Sequence, residues 1–166
     1  MDRLMRRGYS LIELLVAILV VAVGVLGVAG LQLASARNAR TALETTLAVM
    51  LAEDMADRIQ ANTAGTYTTG PGTPPPAFVD CLARDCDAAE LAAFDLAVWK
   101  CSLGRWHAES SCAAIRATGL LGDPREQPGL PGGDGGVDSA GDGAFSVTVT
   151  WQGHEPRELV IRGGRG

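Results

Sequence analysis

Met1-Asp2-Arg3-Leu4-Met5-Arg6-Arg7-Gly8-Tyr9-Ser10-Leu11-Ile12-Glu13-Leu14-Leu15-Val16-Ala17 opens the chain, and an uncharged apolar run extends from Leu14 to Leu31. A basic start before an apolar stretch fits an ordinary secretory signal, and Ala34-Ser35-Ala36 supplies a small-residue cleavage pattern. The length argues against that reading. The apolar part of a signal spans about 7–15 residues, whereas this run approaches the roughly 20 that cross a bilayer as a helix. Glu13 argues the same way, because a carboxylate at the mouth of a membrane helix is costly and marks a functional position by default. The helix macrodipole offsets part of that cost, since negative charge is favoured in a first turn. The bland alternative is an uncleaved anchor helix with Glu13 at the headgroup level.

The order of basic leader, Gly8, aromatic Tyr9, Glu13 and long apolar helix resembles the N-terminal signature of type IV prepilins, with Tyr9 where the usual aromatic is Phe. That resemblance implies cleavage by prepilin peptidase between Gly8 and Tyr9 on the cytoplasmic side, and methylation of the new Tyr9 amine by the same enzyme. A residue without Cβ at the cut lets a protease approach the backbone closely. The resemblance also implies that Glu13 pairs with the N-terminal amine of a neighbouring subunit during assembly. Opposite charges in an apolar bundle attract strongly and an unpaired one is penalised, so such a pair would set register. The leader arginines predict a cytoplasmic N-terminus and an exported remainder, although Arg37 and Arg40 beyond the run weaken the bias. The implied localisation is a single pass through the bacterial inner membrane with a periplasmic head, then the pilus at the cell surface.

Helical periodicity continues past the membrane run. Leu43, Leu47, Met50, Leu51, Met55 and Ile59 recur at spacings of three and four, the pattern of an amphipathic helix. No proline interrupts the segment from Tyr9 to Gly70, and a continuous helix from about Ser10 to Asn62 would be roughly 80 Å long. Gly24, Gly27 and Gly30 lie three apart in its membrane half, as in close packing of helices through small residues or as glycines simply tolerated there. The expected organisation is a leader at 1–8, a long helix at 9–62 with its membrane half at about 14–31, and a globular head at 63–166.

In the head, Thr63 to Ala77 reads as a glycine- and proline-rich connector. Asp87-Ala88-Ala89-Glu90 is a capping box that opens a second helix ending near Gly104, with Leu91, Phe94, Val98 and Cys101 on one face. Gly129 to Gly143 reads as a flexible loop; Asp134, Asp138 and Asp142 invite a calcium reading, but their spacing matches no EF-hand. Phe145, Val147, Val149 and Trp151 alternate with Ser146, Thr148 and Thr150, which predicts a half-buried strand. Glu158 to Arg162 is its expected partner, with Pro156 in the turn between. The fold class is therefore α+β and type IV pilin-like, a long N-terminal helix packed on a small antiparallel sheet with a second short helix.

Cys81, Cys86, Cys101 and Cys112 are an even set in a small exported domain, which predicts two disulfides. Four cysteines allow three connectivities, and the spacings favour Cys81 with Cys86 and Cys101 with Cys112. The rival reading is a zinc site that recruits His107, although short paired-cysteine spacings are absent. The net charge of −5 and the lack of a basic block beyond the leader predict no nucleic-acid partner. Trp106-His107-Ala108-Glu109-Ser110-Ser111 could be imagined as a fragment of a catalytic triad, yet no Gly-x-Ser-x-Gly elbow, P-loop, dinucleotide fingerprint or paired-histidine metal helix occurs. The expectation is a structural protein, not an enzyme, with no cofactor, no metal and no small-molecule substrate.

Two further segments, Met50-Leu51-Ala52-Glu53-Asp54-Met55-Ala56-Asp57-Arg58-Ile59-Gln60-Ala61-Asn62 and the stretch from Cys86 to Lys100, resemble the PilV family of minor pilins, the type IV pilus modification proteins. This likeness implies a subunit used in few copies, which joins other minor pilins and the major pilin to start assembly or sit at the tip. It further implies a link to a large tip adhesin and a part in twitching motility and adhesion. A minor pseudopilin of a type II secretion system shares the leader, the glutamate and the helix, and is the close alternative. A membrane-anchored periplasmic binding module is the alternative of another class.

Overall fold

A computed structural model describes residues 10–139, 143–153 and 155–164. Helix α1 runs Leu11–Ala61, and its first turn is closed by the Ser10 carbonyl, which accepts from the Glu13 and Leu14 N–H groups at 3.0 and 3.2 Å. The chain divides into two units, Met1–Ala42 and Leu43–Gly166. In the first, fifteen large apolar side chains between Leu11 and Leu33 are exposed. At about 1.5–3 kcal/mol for each fully buried side chain, covering them is worth on the order of 20–40 kcal/mol. That exceeds the 5–15 kcal/mol or so of net stability of an ordinary domain, so such a surface demands lipid or partner helices.

The second unit has a core of its own. Here α1 buries Ala48, Ala52, Met55, Ala56 and Ile59. This seam keeps Met55 and Ile59 of the expected stripe and corrects the rest: Leu43 and Met50 are exposed, and Leu47 and Leu51 are only half-buried against the core. Helix α2, Ala88–Leu103, is tied to this part of α1 through Trp99, which donates its indole N–H to the Leu51 carbonyl at 2.8 Å.

Helix α2 starts at the capping box. The Asp87 carboxylate accepts from the Ala89 and Glu90 N–H groups at 2.9 Å, and Glu90 accepts from the Asp87 N–H at 3.2 Å. It ends at Gly104, whose φ of 125° disfavours any side chain, and a Cβ there would press on the Pro128 and Leu130 backbone. Both faces of α2 are buried. Ala92, Leu96, Trp99 and Leu103 join the main core, while Phe94, Ala97, Val98 and Cys101 form a second cluster with Cys112 and Ile115. The last two belong to a short helix α3, Ser110–Ala117, that periodicity over so few residues did not announce.

Three antiparallel strands complete the head in the order β1-β2-β3: β1 Asp134–Ser139, β2 Ala144–Gln152 and β3 Pro156–Gly164. Phe145, Val147, Val149 and Trp151 face the core, as their alternation predicts. Strand β3 starts at Pro156, earlier than expected, and pairs Pro156 with Gln152; a proline is tolerated because the strand is at the sheet edge. Strand β1 corrects the reading of Gly129 to Gly143 as a loop. Gly135 and Gly136 hide the strand from propensity, yet a Cβ on Gly135 would collide with the Trp99 ring. The outer edge of β1 is capped by Thr69, which exchanges two backbone hydrogen bonds of 2.9 and 2.8 Å with Val137.

Candidate functional site

Glu13 lies in the first turn of α1, exposed at the start of the apolar surface. Gly8 and Tyr9 are outside the described residues, as are Asp142 and His154. Among the described residues, α1 is the one helix long and apolar enough to cross a membrane. The segment thus presents a carboxylate at the N-terminal end of a helix whose sides are apolar all round. The glutamate does not bar such a helix from a bilayer, because a charge costs about 2.5–3.5 kcal/mol even at its centre, far less than the apolar surface gains.

In the head, Cys81 joins Cys86 and Cys101 joins Cys112. With all four sulfurs in disulfides, no thiolate remains for zinc, and the His107 Nε2 is 3.0 Å from the Pro128 carbonyl. The first disulfide closes the loop just ahead of α2, and the second ties the end of α2 to α3.

The charged centre of the head is a buried pair that the sequence reading missed. Lys100 sits fully buried on α2, and its ammonium donates to Asp134 Oδ1 at 3.0 Å and to the Gly70 and Thr73 carbonyls at 2.9 and 2.7 Å. Asp134 also accepts from the Trp106 indole at 3.0 Å and from the Gly72 and Gly135 N–H groups at 2.6 and 2.8 Å. All three ammonium protons and both carboxylate oxygens are therefore engaged. Burial pushes the Lys100 ammonium below its ordinary value, against the opposing pull of Asp134. Burial alone would raise Asp134, but its donors, Trp106 foremost, hold it below the usual carboxylate range. Asp134 is consequently no free calcium ligand, and Asp138 lies exposed on β1. A lysine on the apolar face of Leu96, Trp99 and Leu103 was the available signal, since burial of that face requires an acidic partner.

The end of α1 and the start of α2 interlock. Arg58 donates to Asp95 at 2.9 Å and to Asp54 at 3.0 Å, and Tyr67 donates to the other Asp95 oxygen at 2.7 Å. Asn62 donates to the Ala88 carbonyl at 2.8 Å and to the Tyr67 hydroxyl at 3.1 Å. With the bond from Trp99 to Leu51, these contacts dock α2 onto the last turns of α1. These residues thus hold the head together.

Residues 3–29 match the family model of the prokaryotic N-terminal methylation motif. The chain carries the prepilin-type signature, on a pilin-like α+β fold of one long apolar helix, two short helices and a three-stranded antiparallel sheet. The signature belongs to type IV pilins and pseudopilins, a structural class, and it implies membrane association and processing of that kind. No curated protein and no solved structure matches the chain.

Proposed function

We propose that the chain is a minor structural subunit of the type IV pilus, related to PilV, that helps initiate pilus assembly and supports pilus-dependent motility and adhesion. The observation that carries this reading is the methylation motif over residues 3–29, continuous with a helix whose apolar sides are exposed. Prepilin peptidase cuts between Gly8 and Tyr9 and methylates the Tyr9 amine. The head is periplasmic while α1 is anchored in the inner membrane, and the subunit then joins other minor pilins and the major pilin. Glu13 enters the apolar bundle paired with a neighbour's N-terminal amine, which offsets the desolvation of both charges.

The presence of both PilV-like segments in the sequence supports the pilus over a secretion pseudopilin. The test is Glu13→Ala in the native cell, followed by the level of membrane-bound protein and its recovery in sheared pili. Unchanged membrane insertion with at least about a tenfold loss from pili is expected, since a buried unpaired charge costs several kcal/mol and 1.4 kcal/mol is a factor of ten. Incorporation at the wild-type level would overturn the assigned role. Recovery of the wild-type protein with a secretion apparatus in place of pili would select the pseudopilin.

A further inference from the structure

Strand β3 lies at one edge of the sheet, and among the described residues no strand pairs with its outer side. Two contacts fix which of its backbone groups point outward. Val137 on β1 exchanges both its backbone bonds with Thr69, so its neighbour Val147 on β2 turns its own groups toward Ile161 on β3. Gln152 donates its N–H to the Pro131 carbonyl, away from β3, which gives the same alternation. The N–H and C=O groups of Glu158, Val160 and Arg162 therefore point out along the free edge.

An unpaired edge is a template for another strand, and proteins commonly blunt it. On the opposite edge of the sheet Thr69 covers Val137. On β3 the missing N–H of Pro156 blunts only the first position. Beyond it, Val160 is 42% exposed, and Leu159 and Ile161 are only partly buried against the core. The segment Glu158-Leu159-Val160-Ile161-Arg162 is also self-complementary about its centre. Its two flanking residues are apolar, and its two ends, both exposed on the face away from the core, carry opposite charges.

We infer that the outer edge of β3 binds the same edge of a second copy of this chain, antiparallel and centred on Val160. Each Glu158 then faces Arg162 of the other copy, each Leu159 faces Ile161, and Val160 faces its own counterpart. Outward-pointing residues meet outward-pointing residues, so about six backbone hydrogen bonds form across the edge. Sliding by two residues in either direction keeps that alternation but leaves both charges opposite uncharged residues, so charge selects the register. The two-fold axis runs perpendicular to the sheet and reverses every direction within it. The pairing thus joins copies that approach from opposed surfaces, and not neighbours whose helices lie along the sheet and point one way in a bilayer. It does not rest on the pilus reading.

The test uses the full chain in detergent micelles, with Val160→Cys and a short bifunctional thiol reagent that captures the dimer covalently. The two Cα atoms at position 160 should be about 5.5 Å apart, and the crosslink is expected to form. Asp138→Cys, exposed on β1 two strands from the edge, should stay monomeric. Adding Arg162→Glu or Glu158→Arg to Val160→Cys sets like charges opposite at both symmetric positions and should lower the yield about tenfold. Mixing these two double variants pairs every charge again and should restore the crosslink, which also shows that both variants fold. No dimer from Val160→Cys, undiminished yields from the charge variants, or no recovery on mixing would each overturn the pairing. Equal yields from Val160→Cys and Asp138→Cys would assign the association to the apolar helices and overturn it as well.

Discussion

Lys100 and Asp134 show how a single charge organises the head. The pair is buried to 0 and 2% exposure and ties α2, β1, the loop at Gly70 to Thr73 and Trp106 to one point. Removing one partner strands the other, so Asp134→Asn should lower the stability of the head by about 3–5 kcal/mol in denaturant unfolding. The double change Lys100→Met with Asp134→Leu should recover much of that loss, because a buried ion pair is often replaceable by apolar groups. Asp134 and Glu90 both have folded pKa values below their ordinary ones. As the pH falls the unfolded chain takes up protons first, so their stabilisation is full above the ordinary carboxylate range near pH 4 and is lost as the pH drops through the depressed folded values. The thermal midpoint of the wild type should fall steeply below about pH 4, and Asp134→Asn should flatten that slope. Asp134 was visible in the sequence only as one of three carboxylates in a glycine-rich stretch, because its partner lies 34 positions away on another element.

The elements that local chemistry specifies were readable: the capping box at Asp87, the stop at Gly104 and the alternation from Phe145 to Trp151. Strand β1 was not, because its glycines answer to the Trp99 ring and not to strand propensity. The buried seam of α1 was read correctly at Met55 and Ile59 and missed at its alanines, for a related reason. Leucines mark apolar surface, while fully buried positions of the seam include Ala48 and Ala52, whose small side chains give a weak apolar signal. Ala52→Leu should therefore overpack the seam and cost about 1–3 kcal/mol. Leu43→Ala and Met50→Ala, on the exposed side, should change head stability by no more than about 0.5 kcal/mol. Denaturant unfolding of the three variants measures this contrast, and a larger effect at Leu43 than at Ala52 would contradict the seam.

The molecule as a whole joins two solvents in one chain. Residues 11–33 expose an apolar surface that water does not tolerate, whereas the head carries its own core and two disulfides. The buried Cys101–Cys112 bond closes the α2–α3 corner, so its removal by reduction or by Cys112→Ser should destabilise the head by about 2–5 kcal/mol. Near-UV circular dichroism should collapse on reduction while the far-UV helical signal of α1 persists. The first seventeen residues carried most of the functional reading, because a leader, a glycine, an aromatic and a glutamate in fixed order are local in sequence. The head's contribution depends on surfaces that form only when distant segments meet. The account rests on processing of that leader, and intact mass with N-terminal sequencing of the protein from its native cell envelope tests it most directly. A chain that begins at methylated Tyr9 is the predicted result; one that begins at Met1 or at Arg37 would contradict it.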